Sequence, residues 1–191
     1  LLFSILNMYS QSDLSDRKIP SDINVTTNHS TTILGKKVNY SAQIGTQPIW
    51  DANGEVIATL HYTYYKRTDI DNNTNRPLVF SFNGGPGSAS IWMHMGYTGP
   101  YNLKIDDEGN PIQPYGYKSN PYSILDVADI VFVNPINIGF SRILKSMTKK
   151  EAADKFFGVN QDIEYLAEWI STFTTRTSRW KSPKYLVGES Y

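Results

Sequence analysis

Between residues 58 and 64 apolar and polar positions alternate: Ala58, Leu60, Tyr62 and Tyr64 are separated by Thr59, His61 and Thr63. A period of two places each set on one face of a strand, which predicts a half-buried antiparallel strand with His61 on its solvated face. Lys37 to Ala42 reads as a neighbouring arm. Asp51-Ala52-Asn53-Gly54 lies between the two and predicts a turn, because Asn-Gly tolerates positive φ. A second turn region, Asp69 to Asn75, closes the strand. The β pattern begins at about Thr31. Residues 11–28, rich in turn formers such as Asp13, Ser15, Pro20 and Asn28, read as an exposed lead-in.

After Pro77 the pattern changes. Leu78 to Phe82, Ile130 to Val133 and Tyr185 to Val187 are nearly continuous apolar runs, as expected of parallel strands covered on both faces by helices. Before the third run, Ile163, Leu166, Ala167 and Ile170 fall at i, i+3, i+4 and i+7, predicting a helix with one apolar stripe. Asn160 is its expected cap, with Asp162 and Glu164 near the first turn. Antiparallel lead-in strands followed by parallel β-α-β units give the α/β class with a mixed sheet. Residues 21–191 show no repeat, low-complexity tract or linker and read as part of one domain.

Eighteen basic residues balance eighteen acidic ones, which gives no electrostatic footprint for nucleic acid. The chain has no cysteine, so a disulfide, a thiolate metal site and a cysteine nucleophile are excluded within it. Leu1 to Leu6 is apolar and Ser10 and Ser12 follow in a polar stretch. Residues 1–20 are therefore expected to hold an export-signal remnant and lead-in, with periplasmic or extracellular localisation. No run approaches the roughly 20 apolar residues of a membrane span.

Two glycine-containing segments each follow an apolar strand. The first is Asn83-Gly84-Gly85-Pro86-Gly87-Ser88-Ala89-Ser90, after the third strand of the pattern. Adjacent glycines let backbone N–H groups approach a ligand closely, which suits phosphate cradling or oxyanion stabilisation. The endings that phosphate and dinucleotide loops require are absent, so an oxyanion loop fits better. The second is Gly188-Glu189-Ser190-Tyr191, the first four positions of G-x-S-x-G, in which a sharp turn lifts a serine above the sheet edge. A lone G-x-S occurs by chance in many chains; its place after a buried strand gives it weight.

Taken together, these segments resemble the most specific motifs of the serine carboxypeptidase family. Asn120-Pro121-Tyr122-Ser123, Val127-Ala128-Asp129, Gly139-Phe140-Ser141 and Arg179 to Pro183 also resemble that family, the last its bacterial branch. The likeness runs from about Gly35 to Tyr191 and implies an α/β-hydrolase fold. It implies Ser190 as nucleophile and the N–H groups of Gly85 and Tyr191 as oxyanion hole. It further implies that Asn83, Gly84 and Glu189 hold the substrate's terminal carboxylate, Glu189 as a protonated donor, giving an acidic optimum. No cofactor or metal is implied. The substrate would be a peptide or an ester, and the triad Asp and His are expected after Ser190, this chain being the N-terminal portion of the domain.

Four departures stand against the family pattern: Ser81 for its tryptophan, Tyr97 for a second carboxylate-binding Glu, Asn134 and Asn137 for Asp and Gly, and Ser88 for a cysteine. These leave open an esterase or acyltransferase of the same fold, or a non-catalytic fragment. His29, His61 and His94 are not read as the general base, since in this fold the base follows the nucleophile. Nor do they show metal-ligand spacing. His94 is expected to pack in a helix. Asp106-Asp107-Glu108 reads as a solvated loop and Lys149-Lys150 as a helix entry.

Overall fold

The computed structural model describes residues 20–70 and 75–190. Most of the expected export-signal remnant, residues 1–19, lies outside the described residues, as does Tyr191. Among the described residues, the strands β1 (Ile23–Ile33), β2 (Lys36–Trp50), β3 (Val56–Arg67), β4 (Leu78–Asn83), β5 (Tyr101–Leu103), β6 (Tyr117–Ser119), β7 (Asp129–Val133) and β8 (Arg142–Ile143) precede the helices α1 (Lys149–Phe156) and α2 (Val159–Arg176), and β9 (Lys184–Glu189) follows them. The main sheet runs β1-β2-β3-β7-β4-β9, with β8 added to β3, and β5 and β6 form a separate ribbon. The β1, β2, β3 and β7 contacts are antiparallel, whereas β4 runs parallel to both β7 and β9. This is the expected mixed sheet.

The expected turn at Asp51 is built by that residue's carboxylate, which accepts the N–H groups of Asn53 and Glu55 at 3.0 Å, while Gly54 takes φ +79°. The β structure starts earlier than Thr31: β1 begins at Ile23, so the glycine loop follows the fourth strand, not the third. Its Thr- and Asn-rich sequence has no buried face over most of its length, and pairing with β2 along eleven residues makes it a strand.

The core lies on both faces of the central strands. On one face α2 stacks Trp169 and Phe173 (5.3 Å, 15°) against Tyr62, Tyr64 and Phe80. Gln47 and Trp169 exchange side chain-to-carbonyl hydrogen bonds at 2.9 and 3.3 Å, tying α2 to β2. The buried stripe of α2 is Tyr165, Trp169, Phe173 and Thr174; of the aliphatic positions expected there, Leu166 and Ile170 are half-buried against the same core, while Ile163 and Ala167 are exposed. The aromatic residues bury more area per side chain and so decide which way the helix faces. The helix is capped at Gly158, and Asn160 sits inside it. Helix α1 begins at Lys149-Lys150, the helix entry expected there, and a capping box of Thr148 and Glu151 closes its first turn.

On the other face Val79, Met93, Ala128, Ile130 and Phe132 pack together. Thr59 and Thr63 are buried and His61 is half-buried, so β3 is covered on both faces and His61 is not the solvated residue that the alternation predicted. A helical turn over Met93–Thr98 and the segment around Phe140 cover that side. β4 and β7 are buried as expected, while β9 is an edge strand with Tyr185 and Leu186 exposed.

Candidate active site

β4, β7 and β9 point their carboxyl ends the same way, and open α/β sheets bind ligands at that edge. Asn83 ends β4 and stands in register with Glu189, which ends β9. Asn83 is buried and is held by three hydrogen bonds, which leave the second hydrogen of its Nδ2 unassigned. Its N–H donates to Ser90 Oγ at 3.3 Å, its Oδ1 accepts the Met93 N–H at 3.1 Å, and its Nδ2 donates to Glu189 Oε2 at 3.1 Å. The loop between Asn83 and Ser90 turns back through Gly85 (φ +134°) and Gly87 (φ +103°), where only glycine is unstrained. A Cβ on Gly85 would lie 3.0 Å from Ser88 Oγ, so the loop is also closely wound there.

Ser190 follows Glu189 with φ +61°, in the left-handed region that side chains other than glycine seldom adopt. Such strain concentrates at functional sites, and a left-handed serine at a strand end is the backbone geometry that a G-x-S-x-G turn requires. A cavity of about 710 Å³ opens between the strand ends and α2. Asn83, Gly84, Glu189 and Ser190 all line it, with Pro86 and Gly87 on either side of the loop's second glycine. Phe82, Ile136, Phe156, Ile163 and Leu166 make most of its wall apolar. The structure thus brings together Asn83, Gly84, Glu189 and Ser190, and Gly85 sits in the loop between two lining residues.

None of the three histidines lines this cavity. His94 is packed, as expected, stacked on Phe132 at 4.4 Å, with its Nε2 2.6 Å from the Tyr65 hydroxyl. Burial pushes it down to about 4, with a smaller push from His61. Ser81 is fully buried. Tyr97 is exposed, and its carbonyl accepts from Asn120 Nδ2 at 2.8 Å. Asn137 takes φ +59° and accepts the Ile143 N–H at 3.0 Å, a role open to an Asn in a left-handed turn. The Asp106 carboxylate caps its own exposed turn by accepting the Asn110 N–H at 2.7 Å.

Two residues beside the site have roles that were not anticipated. Ser90 donates from its hydroxyl to the Val133 carbonyl at 2.5 Å and from its N–H to Asn134 Oδ1 at 3.0 Å, pinning the far end of the glycine loop to β7. Tyr165 hydrogen-bonds the Asp162 carboxylate and accepts the Ile136 N–H at 3.3 Å, which fixes α2 to the loop after β7 under the cavity. The sequence does not show these roles, because the bonds to Val133, Asn134 and Ile136 reach partners 29 to 44 residues away.

The sequence pattern of the family described as serine carboxypeptidase matches residues 50–191. Serine carboxypeptidase-like 31 of Arabidopsis thaliana is 28% identical over 160 residues, covering 81% of this chain and 28% of that protein. Serine carboxypeptidase-like 34 of the same plant is 31% identical over 134 residues, covering 69% and 24%. Among solved structures, a prohormone-processing carboxypeptidase from Saccharomyces cerevisiae aligns over 78% of this chain and 31% of its own, at 22% identity and a TM-score of 0.49. The chain spans less than a third of the length of these relatives. With a family match over most of its length, a mixed sheet of the α/β-hydrolase kind and a strained serine at the expected strand end, the chain belongs to the serine carboxypeptidase family.

Proposed function

We propose that the full-length protein is a serine-type carboxypeptidase that hydrolyses C-terminal peptide bonds through an acyl-enzyme on Ser190. The observation that carries this reading is the left-handed backbone of Ser190 at the end of β9, beside a Glu189 hydrogen-bonded to Asn83 in one cavity. Ser190 Oγ attacks the scissile carbonyl while its proton passes to a base. The oxyanion forms between the N–H groups of Gly85 and Tyr191, and the carbonyl re-forms as the C-terminal residue leaves as an amine carrying that proton. Asn83, Gly84 and Glu189 meet the substrate's terminal carboxylate. The base and its orienting acid are assigned outside residues 1–190, since His29, His61 and His94 do not reach the cavity. Residues 21–191 form the N-terminal portion of a single hydrolase domain, acting after export to the periplasm or the cell exterior. Among the described residues no helix is long and apolar enough to cross a membrane.

An esterase or acyltransferase would use the same nucleophile, and Tyr97 favours it by lying outside the cavity lining. One experiment separates these readings. The full-length protein and Ser190→Ala are treated with a fluorophosphonate probe, the labelled peptide is mapped, and hydrolysis of a free-acid peptide, its amide and an ester is compared. Labelling of Ser190, lost in the variant, with release of the C-terminal residue is the expected result. Labelling at another residue overturns the nucleophile, and turnover of the ester alone overturns the peptidase.

A further inference from the structure

His61 belongs to no part of the site as described, yet a continuous set of hydrogen bonds leads from it to Glu189. Asn134 Nδ2 lies 3.2 Å from His61 Nδ1, and the other end of the same amide, Oδ1, accepts the Ser90 N–H at 3.0 Å. Ser90 Oγ accepts the Asn83 N–H, and Asn83 Nδ2 donates to Glu189. His61 and Asn134 are held together by main-chain bonds as well. The Asn134 N–H donates to the His61 carbonyl at 3.0 Å. Ser141 Oγ accepts the His61 N–H at 2.9 Å and donates to the Asn134 carbonyl at 2.7 Å.

A carboxamide has one accepting end and one donating end. Because the accepting end meets an N–H at Ser90, the donating end must meet an acceptor at His61. Nδ1 is an acceptor only in the neutral ring that carries its hydrogen on Nε2. We propose that His61 is a positioning residue: neutral, it fixes the Asn134 amide and through Ser90 sets the glycine loop and Asn83 against Glu189 and Ser190. This rests on Ser190 being the nucleophile. When His61 is protonated, Nδ1 becomes a donor facing a donor. Rotating the amide only transfers the conflict to the Ser90 N–H, so the loop loses its anchor on β7.

The surroundings favour the neutral ring. Burial beside Phe140, whose ring lies 5.3 Å away, pushes His61 down from its ordinary value. Across β3 its partner is the uncharged Thr46. His94 faces it from the helical turn and is itself held down to about 4. Arg142 shares its face of the sheet by register with Thr59, its guanidinium donating to the Gly139 and Ser141 carbonyls.

Two variants of the full-length protein test the proposal. His61→Gln retains an accepting oxygen and does not titrate, whereas His61→Phe has no acceptor. The rate of fluorophosphonate labelling at Ser190 is followed from pH 4 to 8, and ¹⁵N NMR reports the His61 ring and the Ser90 amide. The wild type should lose rate as His61 protonates, with the Ser90 amide moving on the same titration. His61→Gln should label within about threefold of wild type at neutral pH and keep only the acid limb that protonation of the general base itself produces, without the His61 component. His61→Phe should label about tenfold more slowly throughout, below the roughly 10²-fold that a 1 Å misplacement can cost. An unchanged acid limb in His61→Gln, or a neutral ring protonated on Nδ1, overturns the proposal. If the wild type does not label at Ser190 at any pH, the nucleophile is wrong. The Ser90 amide then decides the His61 linkage alone: following the titration in wild type supports it, and indifference overturns it. Should His61→Phe fail to fold, His61→Gln and the ring spectrum suffice.

Discussion

Acidification should destabilise the fold, and part of that loss should follow His94. Its ring is stacked on Phe132, bonded to the Tyr65 hydroxyl and pushed by burial from 6.5 to about 4. The folded value therefore lies below the unfolded one. Above pH 6.5 neither state binds the proton and stability is unaffected. Between 6.5 and about 4 the unfolded chain binds a proton that the folded protein excludes, so stability falls as pH falls, and it levels off below about 4. At about 1.4 kcal/mol per pH unit the whole window is worth about 3 kcal/mol. His94→Phe retains a ring against Phe132 and removes the titration. It also orphans the Tyr65 hydroxyl, at a cost of about 1–3 kcal/mol that does not depend on pH in this range. The assay is urea unfolding of the full-length wild type and variant at pH 7, 5.5 and 4. Other titrating groups largely cancel in the difference between the two proteins. The wild type should lead at pH 7, and its lead should shrink by about 3 kcal/mol at pH 4. A difference constant within about 0.5 kcal/mol across the three pH values would refute the linkage.

Two further outcomes follow from contacts away from the cavity. Asp129 is fully buried and accepts from Arg179, from Arg76 Nε at 3.0 Å and from the Arg67 N–H at 3.0 Å. Asp129→Ala leaves two largely buried guanidinium groups without their carboxylate and should cost about 3–5 kcal/mol in urea unfolding; a loss under about 1 kcal/mol would mean that water or another carboxylate replaces it. At Gly45 a Cβ would lie 2.4 Å from the Ile23 carbonyl oxygen and 2.9 Å from Asn24 Cβ. Gly45→Ala should therefore speed hydrogen exchange at the start of β1 while leaving the β2–β3 amides protected, and uniform protection across β1 would count against that contact.

The elements most legible in the sequence were those whose cause is local. The Asp51–Gly54 turn is made by one carboxylate and one glycine within a few residues, and the helix entry at Lys149-Lys150 is equally local. The loop after Asn83 and the turn at Ser190 were visible because glycines and apolar runs announce a strand end. The first eight residues of β1 lack the buried face that an apolar pattern records, and their strand conformation comes from pairing with β2. The polar side of β3 was misread for a similar reason. Thr59 is buried and satisfied, its hydroxyl donating to the Ser21 carbonyl at 2.7 Å, and alternation cannot reveal a partner 38 residues away. The role of Asn134 was hidden further still, since its amide joins positions 44 and 73 residues distant.

The two ends of the parallel strands are built from opposite chemistry, and the difference explains how the site is held. At the amino-terminal end the strands are locked by charge. Asp129 opens β7 and binds Arg179, which precedes β9 and also donates to the Tyr64 hydroxyl at 2.8 Å, to Ser182 Oγ at 2.7 Å and to the Arg76 carbonyl at 2.8 Å. The N–H of Leu78 donates to the Pro183 carbonyl and that of Asp129 to the Pro77 carbonyl, both at 2.9 Å. These contacts set Leu78 opposite both Asp129 and Lys184. Five residues further along, the same register places Asn83 opposite Glu189. A slip of one residue would send one of those side chains to the other face of the sheet and part the pair. The carboxyl-terminal end is then free to carry what a sheet tolerates poorly: two glycines at positive φ and a serine in left-handed backbone. Strain of about 1–3 kcal/mol at such a serine persists only where its surroundings over-determine it. The ion cluster at the opposite end of the strands, together with the Asn83, Ser90 and Asn134 bonds beneath the loop, fixes the frame up to Glu189, the residue before that serine.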